Sequence, residues 1–435
     1  MTTSSDVITP GREAAASSGG RDPSLPLLIA GIVLMVISIG LLFTGSAADP
    51  ARPFLGYLVA VTFWASILIG MLFLVMVWWL FDAGWSVIIR RQLEHFLAAF
   101  PVIGVVMVPL VALGVAGSDA VAWTWMNLDA EVAGAGVTVA EDVLYLHKAP
   151  YLNTTFFVLR FILIIGVWVG LAHLLRQWSF RMDETGDHKY VHWSRRLSAL
   201  GMFVLAMVTT MASVDWFMSL NFHWFSTMFG VWFFSASMRA ALSATVLVLF
   251  WQASRDDGTG LKGIVKPAHF YLIGCIMLAF TVFWAYISFS QYFLIYNANI
   301  PEETFWYNIR EKNPDGALNS WWWVSMVLMF LHFFVPFIYL LFYKCKFGAR
   351  LKFIAVWILA IHLLDIYFNV LPQKLPSDAN ILGYEVRQFI PGLTDVTVFL
   401  GVGALVLWAF VRSTRRHRPI PVRDPRIHES LTCHE

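Results

Sequence analysis

Seven ionisable side chains fall inside stretches of sequence that are otherwise apolar: Arg160, Asp215, Arg239, His332, His362, Asp365 and Asp395. In hydrocarbon each Asp or Arg costs roughly 2.5–3.5 kcal/mol on insertion scales, so each needs a reason to be there. His362 and Asp365 are three apart and share a helix face, with Tyr367 close by. His332 falls at a similar depth, and Asp395 lies outward of them. Imidazole, carboxylate and phenol at intermediate depth are what a proton pathway needs. The competing reading is a hydrogen-bonded helix contact of the kind that holds bundles together. At about 1.5 Å per residue, Arg160 sits somewhat over 10 Å from one surface and Asp215 a few ångströms from it. Their helices are neighbours in sequence, so the two can pair. Such a pair is either a staple between misplaced charges or, with His223 and Arg239, the lining of a polar cavity for a quinol head group; the staple is the favoured reading. Asp82, His173 and His269 fall at segment ends and read as boundary residues.

Redox chemistry within this chain has little support. Cys275, Cys345 and Cys433 are far apart and none belongs to a CxxC pair, so no thiolate set for an iron–sulfur cluster or structural zinc is present. His332 and His362 form one pair that could ligate a b-type haem, but Phe330, Leu331, Phe333 and Phe334 leave little room for a porphyrin.

The elements carrying these residues are set by composition. Of 435 residues, 58% are hydrophobic, 16% aromatic and only 13% charged, against about 25% charged in a soluble domain. There is too little charge to coat a soluble protein of this size. The 30 basic and 28 acidic residues balance to +2, which gives no indication of a nucleic-acid partner. Ten apolar stretches are long enough to cross about 30 Å of hydrocarbon: 25–45, 57–81, 96–116, 151–175, 196–216, 225–252, 268–296, 320–343, 353–371 and 392–412. None has the short alternating pattern of a barrel strand. The fold class is all-α, a polytopic membrane protein with ten transmembrane helices over 25–412.

Lys and Arg placement gives the orientation. One set of connections and tails carries 22 of the 30, the other six, and Arg160 and Arg239 are intramembrane. By the positive-inside rule both termini are cytoplasmic. Residues 1–24 read as a disordered tail and 413–435 as a basic tail, a stop-transfer flank that could also touch anionic lipid. Gly45-Ser46-Ala47-Ala48 offers a cleavage-like site after the first span, but the 21-residue run is long for a signal, so retention is expected. Two outward connections stand out: 117–150, with five acids against Lys148, and 297–319, where Pro301-Glu302-Glu303 has the pattern of a helix start. Long ordered loops on one face point to a docking partner, with a solvated acidic loop as the alternative for 117–150.

Several strings resemble one family. Ser213-Val214-Asp215-Trp216-Phe217-Met218-Ser219-Leu220 with His223-Trp224-Phe225-Ser226-Thr227 is similar to the membrane subunits of alternative complex III. So are Phe289-Ser290-Gln291-Tyr292 running into Asn299-Ile300-Pro301-Glu302-Glu303-Thr304, His332-Phe333-Phe334-Val335-Pro336, and His362-Leu363-Leu364-Asp365-Ile366-Tyr367. The strings cover spans five to nine and resemble the ActF-type subunit rather than its ActC-type paralogue, within the wider polysulfide-reductase membrane-subunit (NrfD-like) family. The resemblance implies two four-helix bundles, helices 2–5 and 6–9, flanked by helices 1 and 10. It implies a menaquinol-oxidising complex of the bacterial inner membrane, passing electrons through periplasmic iron–sulfur and cytochrome c subunits. It further implies a subunit without its own cofactor that contributes a proton pathway; an anchor without that role, or the membrane subunit of a polysulfide-reductase-like molybdoenzyme, are the alternatives. A quinone pocket in this chain is a weaker implication, since the ActC-type subunit is credited with it.

Overall fold

A computed structural model describes residues 24–46, 49–255, 260–377 and 382–433. The N-terminal tail up to residue 23, and Ala47 and Ala48, lie outside the described residues. Among the described residues nine helices are long and apolar enough to cross a membrane, and a shorter apolar one precedes them. We number them α1 (Leu25–Leu41), α2 (Arg52–Leu80), α3 (Gly84–Val115), α4 (Thr154–Thr185), α5 (Lys189–Asn221), α6 (Phe229–Ala253), α7 (Pro267–Ala298), α8 (Ser320–Leu341), α9 (Gly348–Val370) and α10 (Leu393–Arg416). This is an all-α integral membrane protein, and each expected span overlaps one of these helices, several of which run beyond it. The only sheet among the described residues is a hairpin of β1 (Lys374–Pro376) and β2 (Tyr384–Val386).

Local chemistry sets several boundaries. Asn153 caps α4 by accepting from the Phe156 N–H at 2.9 Å, and Asn319 caps α8 from Trp321 and Trp322. Gly186, at φ 72°, ends α4 in the left-handed conformation that glycine adopts without strain. A helix over Pro301–Asn308 starts on Pro301 with both glutamates in its first turn, as its sequence pattern predicts.

Helices α2–α5 close one four-helix ring and α6–α9 a second, joined where α2 and α5 meet α6 and where α2 meets α9. Helix α10 packs on α1, α2 and α3. Helix α2 is therefore buried on nearly all sides. Its approach to α6 is so close at Gly70 that a methyl group there would overlap the Ser237 carbonyl and the Ala241 side chain.

The 117–150 connection folds back onto the first bundle. Trp123 and Trp125 are buried against Phe54 and Phe157, with ring centroids 5.0–5.6 Å apart. We call this side the loop face and the opposite side the basic face. On the basic face, two sequence expectations change. The charged run Arg90-Arg91-Gln92-Leu93-Glu94-His95, expected in a connection, is helical and buried within α3. The C-terminal segment, expected as a solvated tail, folds over it. Asp424 pairs with Arg90, Gln92 donates to the Pro419 carbonyl at 2.7 Å, and Ser430 donates to the Trp85 carbonyl at 2.8 Å. The reason is charge matching: Arg91 reaches Glu94 at 3.1 Å and Asp183 at 2.5 Å, so the run enters the protein as paired ions.

Gly70→Ala is expected to lower stability by about 1–3 kcal/mol through overpacking, read as an earlier thermal midpoint of the purified protein; an unchanged midpoint would mean that α2 and α6 are not in such close contact. His417 stacks on Phe180 at 3.9 Å, and its burial, reinforced by Arg176 and Arg91, holds its pKa down to about 4. Protonation therefore favours the released segment. Protease sensitivity of 417–433 should stay low above about pH 6.5, the ordinary value, and rise as pH falls towards 4; His417→Phe should remove that dependence.

Candidate functional site

Three of the sequence candidates meet at mid-membrane in the second bundle, and a fourth joins them. His332 of α8 and His362 and Asp365 of α9 are 0–2% exposed, and a ligand atom from each lies within 4.8 Å of the others. His332 Nε2 is 3.9 Å from Asp365 Oδ2. Arg239 of α6, grouped by sequence with Arg160 and Asp215, belongs instead to this cluster. It lies 5.0 Å over the Trp284 ring and donates to the His332 carbonyl at 2.6 Å.

The backbone explains that last contact. Residues Leu328–Phe334 form a π-helical segment inside α8, centred near His332, a feature that recurs at functional sites. Pro336 has no N–H to offer the carbonyl of His332 four residues earlier. Arg239 supplies the donor, and Trp357 Nε1 takes the neighbouring Leu331 carbonyl at 2.8 Å.

Sequence reasoning missed three participants. Ser66 of α2 lies 2.9 Å from His362 Nε2, linking the two bundles at this point. Trp284 Nε1 donates to Asp365 Oδ2 at 3.0 Å and sets its ring edge-on to His332 at 4.5 Å. Asn369 donates to Asp365 Oδ1 at 3.2 Å. Its place four residues after Asp365 was a readable signal; Ser66 and Trp284 had none, because nothing in their spacing refers to α9. Both ring nitrogens of His332, Nδ1 of His362, and Nε and Nη1 of Arg239 have no hydrogen-bond partner among the described residues.

A row of polar side chains extends from this cluster towards the loop face. Arg310 donates to the Asn369 and Phe368 carbonyls at 3.3 and 3.0 Å and stacks on Trp306 at 3.3 Å. Burial lowers the Arg310 pKa well below its usual value. Tyr307, three residues before Arg310, accepts from Gln291 at 3.2 Å, and Gln291 accepts from Ser226 at 3.0 Å. Ser226 is half-buried at the loop face.

The remaining candidates stand apart. Asp395 caps its own helix through the Gly392 N–H and binds Arg52 with both oxygens, at 2.6 and 3.1 Å. Tyr367 lies beside that pair, not beside His332. Arg160 and Asp215 pair at 2.7 Å, as expected, with Arg160 also donating to the Tyr151 carbonyl at 2.9 Å and lying 3.9 Å over the Tyr151 ring. His223 is away from them, bonded at 2.8 Å to Asp142.

Two imidazoles and a carboxylate also form a set that a divalent transition ion takes. Arg239 interacts electrostatically with the same carboxylate, and a fixed cation there opposes a dication while leaving proton exchange open. No protein-family model and no curated protein matches this chain. The class rests on the fold and on this buried polar site: an integral membrane protein with ionisable groups held at the centre of a helix bundle.

Arg160→Gln should cost about 3–5 kcal/mol by leaving Asp215 buried without its partner, whereas Arg160→Met with Asp215→Leu should recover most of that loss. Unfolding midpoints of the purified variants measure it; an Arg160→Gln protein as stable as the parent would remove the staple.

Proposed function

We propose that this protein is the proton-handling membrane subunit of a menaquinol-oxidising complex of the alternative complex III type, as the ActF-like strings imply. In this reading it lies in the bacterial inner membrane with both termini in the cytoplasm. Its partners are an ActC-type paralogue and periplasmic iron–sulfur and cytochrome c subunits, which hold the redox centres. The chain itself moves protons.

The observation that carries the reading is the His332–His362–Asp365 constellation with its unpartnered ring nitrogens. Carboxylate and imidazole both accept and release protons. Within 4.8 Å they are one small rotamer change, or one water, from direct transfer. Arg239 holds the charge balance and fixes the backbone of His332. Ser66, through its hydroxyl, is the hydrogen-bonding neighbour by which a proton reaches or leaves His362, and Asn369 holds the Asp365 carboxylate in place. Arg310, Tyr307, Gln291 and Ser226 give the protein a polar lining between the cluster and the loop face.

A second reading, a structural anchor, is favoured at particular positions. Arg160–Asp215 and Arg52–Asp395 are mutually committed ion pairs, which supports a staple over a quinone-binding role for Arg160 and Asp215.

Asp365→Asn preserves shape and can still accept from Trp284, so it separates the readings. In the purified native complex, reconstituted in proteoliposomes, menaquinol oxidation and proton release should fall roughly a hundredfold while the complex still assembles. Turnover and proton release equal to the parent would leave the cluster structural and this chain an anchor.

A further inference from the structure

We propose that the groove between α1 and α10 at the basic face is a binding site for an anionic phospholipid. Helices α1 and α10 are in close contact along most of their length. Gly31 sits against Leu405, Gly401 against Leu34, and Ser38 bonds Thr397 at 2.9 Å. At the basic end a cavity of about 310 Å³ lies between them, lined by Ser24, Leu25 and Leu28 on one side and Trp408, Arg412, Arg415 and Arg416 on the other.

Three features select the occupant. The first is charge: the guanidinium groups of Arg412 and Arg416 line the cavity, and no carboxylate does among the described residues. Arg412 and Arg416 are exposed. The second is depth. Arg412 lies 5.3 Å over the half-buried Trp408 ring, and an indole under a basic residue is the usual composition of the headgroup layer. The third is continuity. From the cavity, Leu25, Ile29, Ile32 and Val36 run along one exposed face of α1, each about half or more exposed, a track for acyl chains. A soluble anion would use the charge and leave that track uncovered; a zwitterionic lipid would use the track and leave Arg412 and Arg416 unmatched. A phosphatidylglycerol- or cardiolipin-type lipid uses both, as basic pockets between membrane helices do.

The full-length protein should retain phosphatidylglycerol over phosphatidylcholine of the same acyl chains when both are supplied and native mass spectra are recorded. Arg412→Gln with Arg416→Gln should weaken that retention by tenfold or more, from about fivefold per basic side chain near an anionic surface. Arg412→Lys with Arg416→Lys should keep most of it. Lys344→Gln with Lys352→Gln, where α8 passes into α9 on the same face, should change nothing. Unaltered unfolding midpoints would show that the Gln variant is folded. Equal retention of the two lipids would overturn the proposal, as would unchanged retention in the Gln variant. Displacement of the lipid by millimolar inorganic phosphate would assign the groove to a soluble anion. Binding that appears only after deletion of residues 1–23 would assign it to the chain's own N-terminal segment.

Discussion

A charge carried into hydrocarbon has no water to solvate it, and the arrangement of these helices answers that constraint at every level. Arg160 is held by Asp215 from the next helix, Arg52 by Asp395 from the last, and Arg91 by Glu94 and Asp183. These pairs join α4 to α5, α2 to α10 and α3 to α4. Apolar surfaces that pack equally well against lipid cannot specify such a register, because burial against protein or against acyl chains costs nearly the same. Matched ions and hydrogen bonds can.

The central cluster follows the same rule with a different outcome. In those pairs a buried cation meets a carboxylate directly. At mid-membrane Arg239 instead meets a carbonyl, the one that Pro336 leaves without its helical donor, and Asp365 is held by Trp284 and Asn369. Neither imidazole is locked into a full set of hydrogen bonds. An ion pair closed on itself is a fastener. Ionisable groups that lie close together without a directly bonded counter-ion retain the freedom to exchange protons, and that difference separates Asp365 from Asp215 and Asp395 although all three are buried carboxylates.

The basic face shows the constraint acting on topology. With Arg90, Arg91, Glu94 and His95 buried inside α3, the open end of the bundle needs a cover, and residues 417–433 supply one through Asp424 and Ser430. The loop face is closed by other means: Trp123 and Trp125 plug the first bundle, and Arg387 clamps Asp49 with two bonds of 2.6 and 2.7 Å.

The sequence by itself determined the solvent, the all-α class and which segments become the long apolar helices, because hydrophobic length is a local property. It also placed His362 with Asp365 and Arg160 with Asp215, since the first two share a helix face and the second two lie on adjacent helices. Tertiary structure alone decided the rest. Arg239 joined His332 rather than Arg160 because α6 packs as the seam between bundles, a relation between helices far apart in sequence. Asp395 turned to Arg52 because α10 returns to lie on α2. Ser66, Trp284 and the buried run of α3 carried no readable signal, for the same reason: in a bundle, the partner of a polar side chain is fixed by which faces meet, and many pairings of ten apolar helices are compatible with the same pattern of hydrophobic lengths.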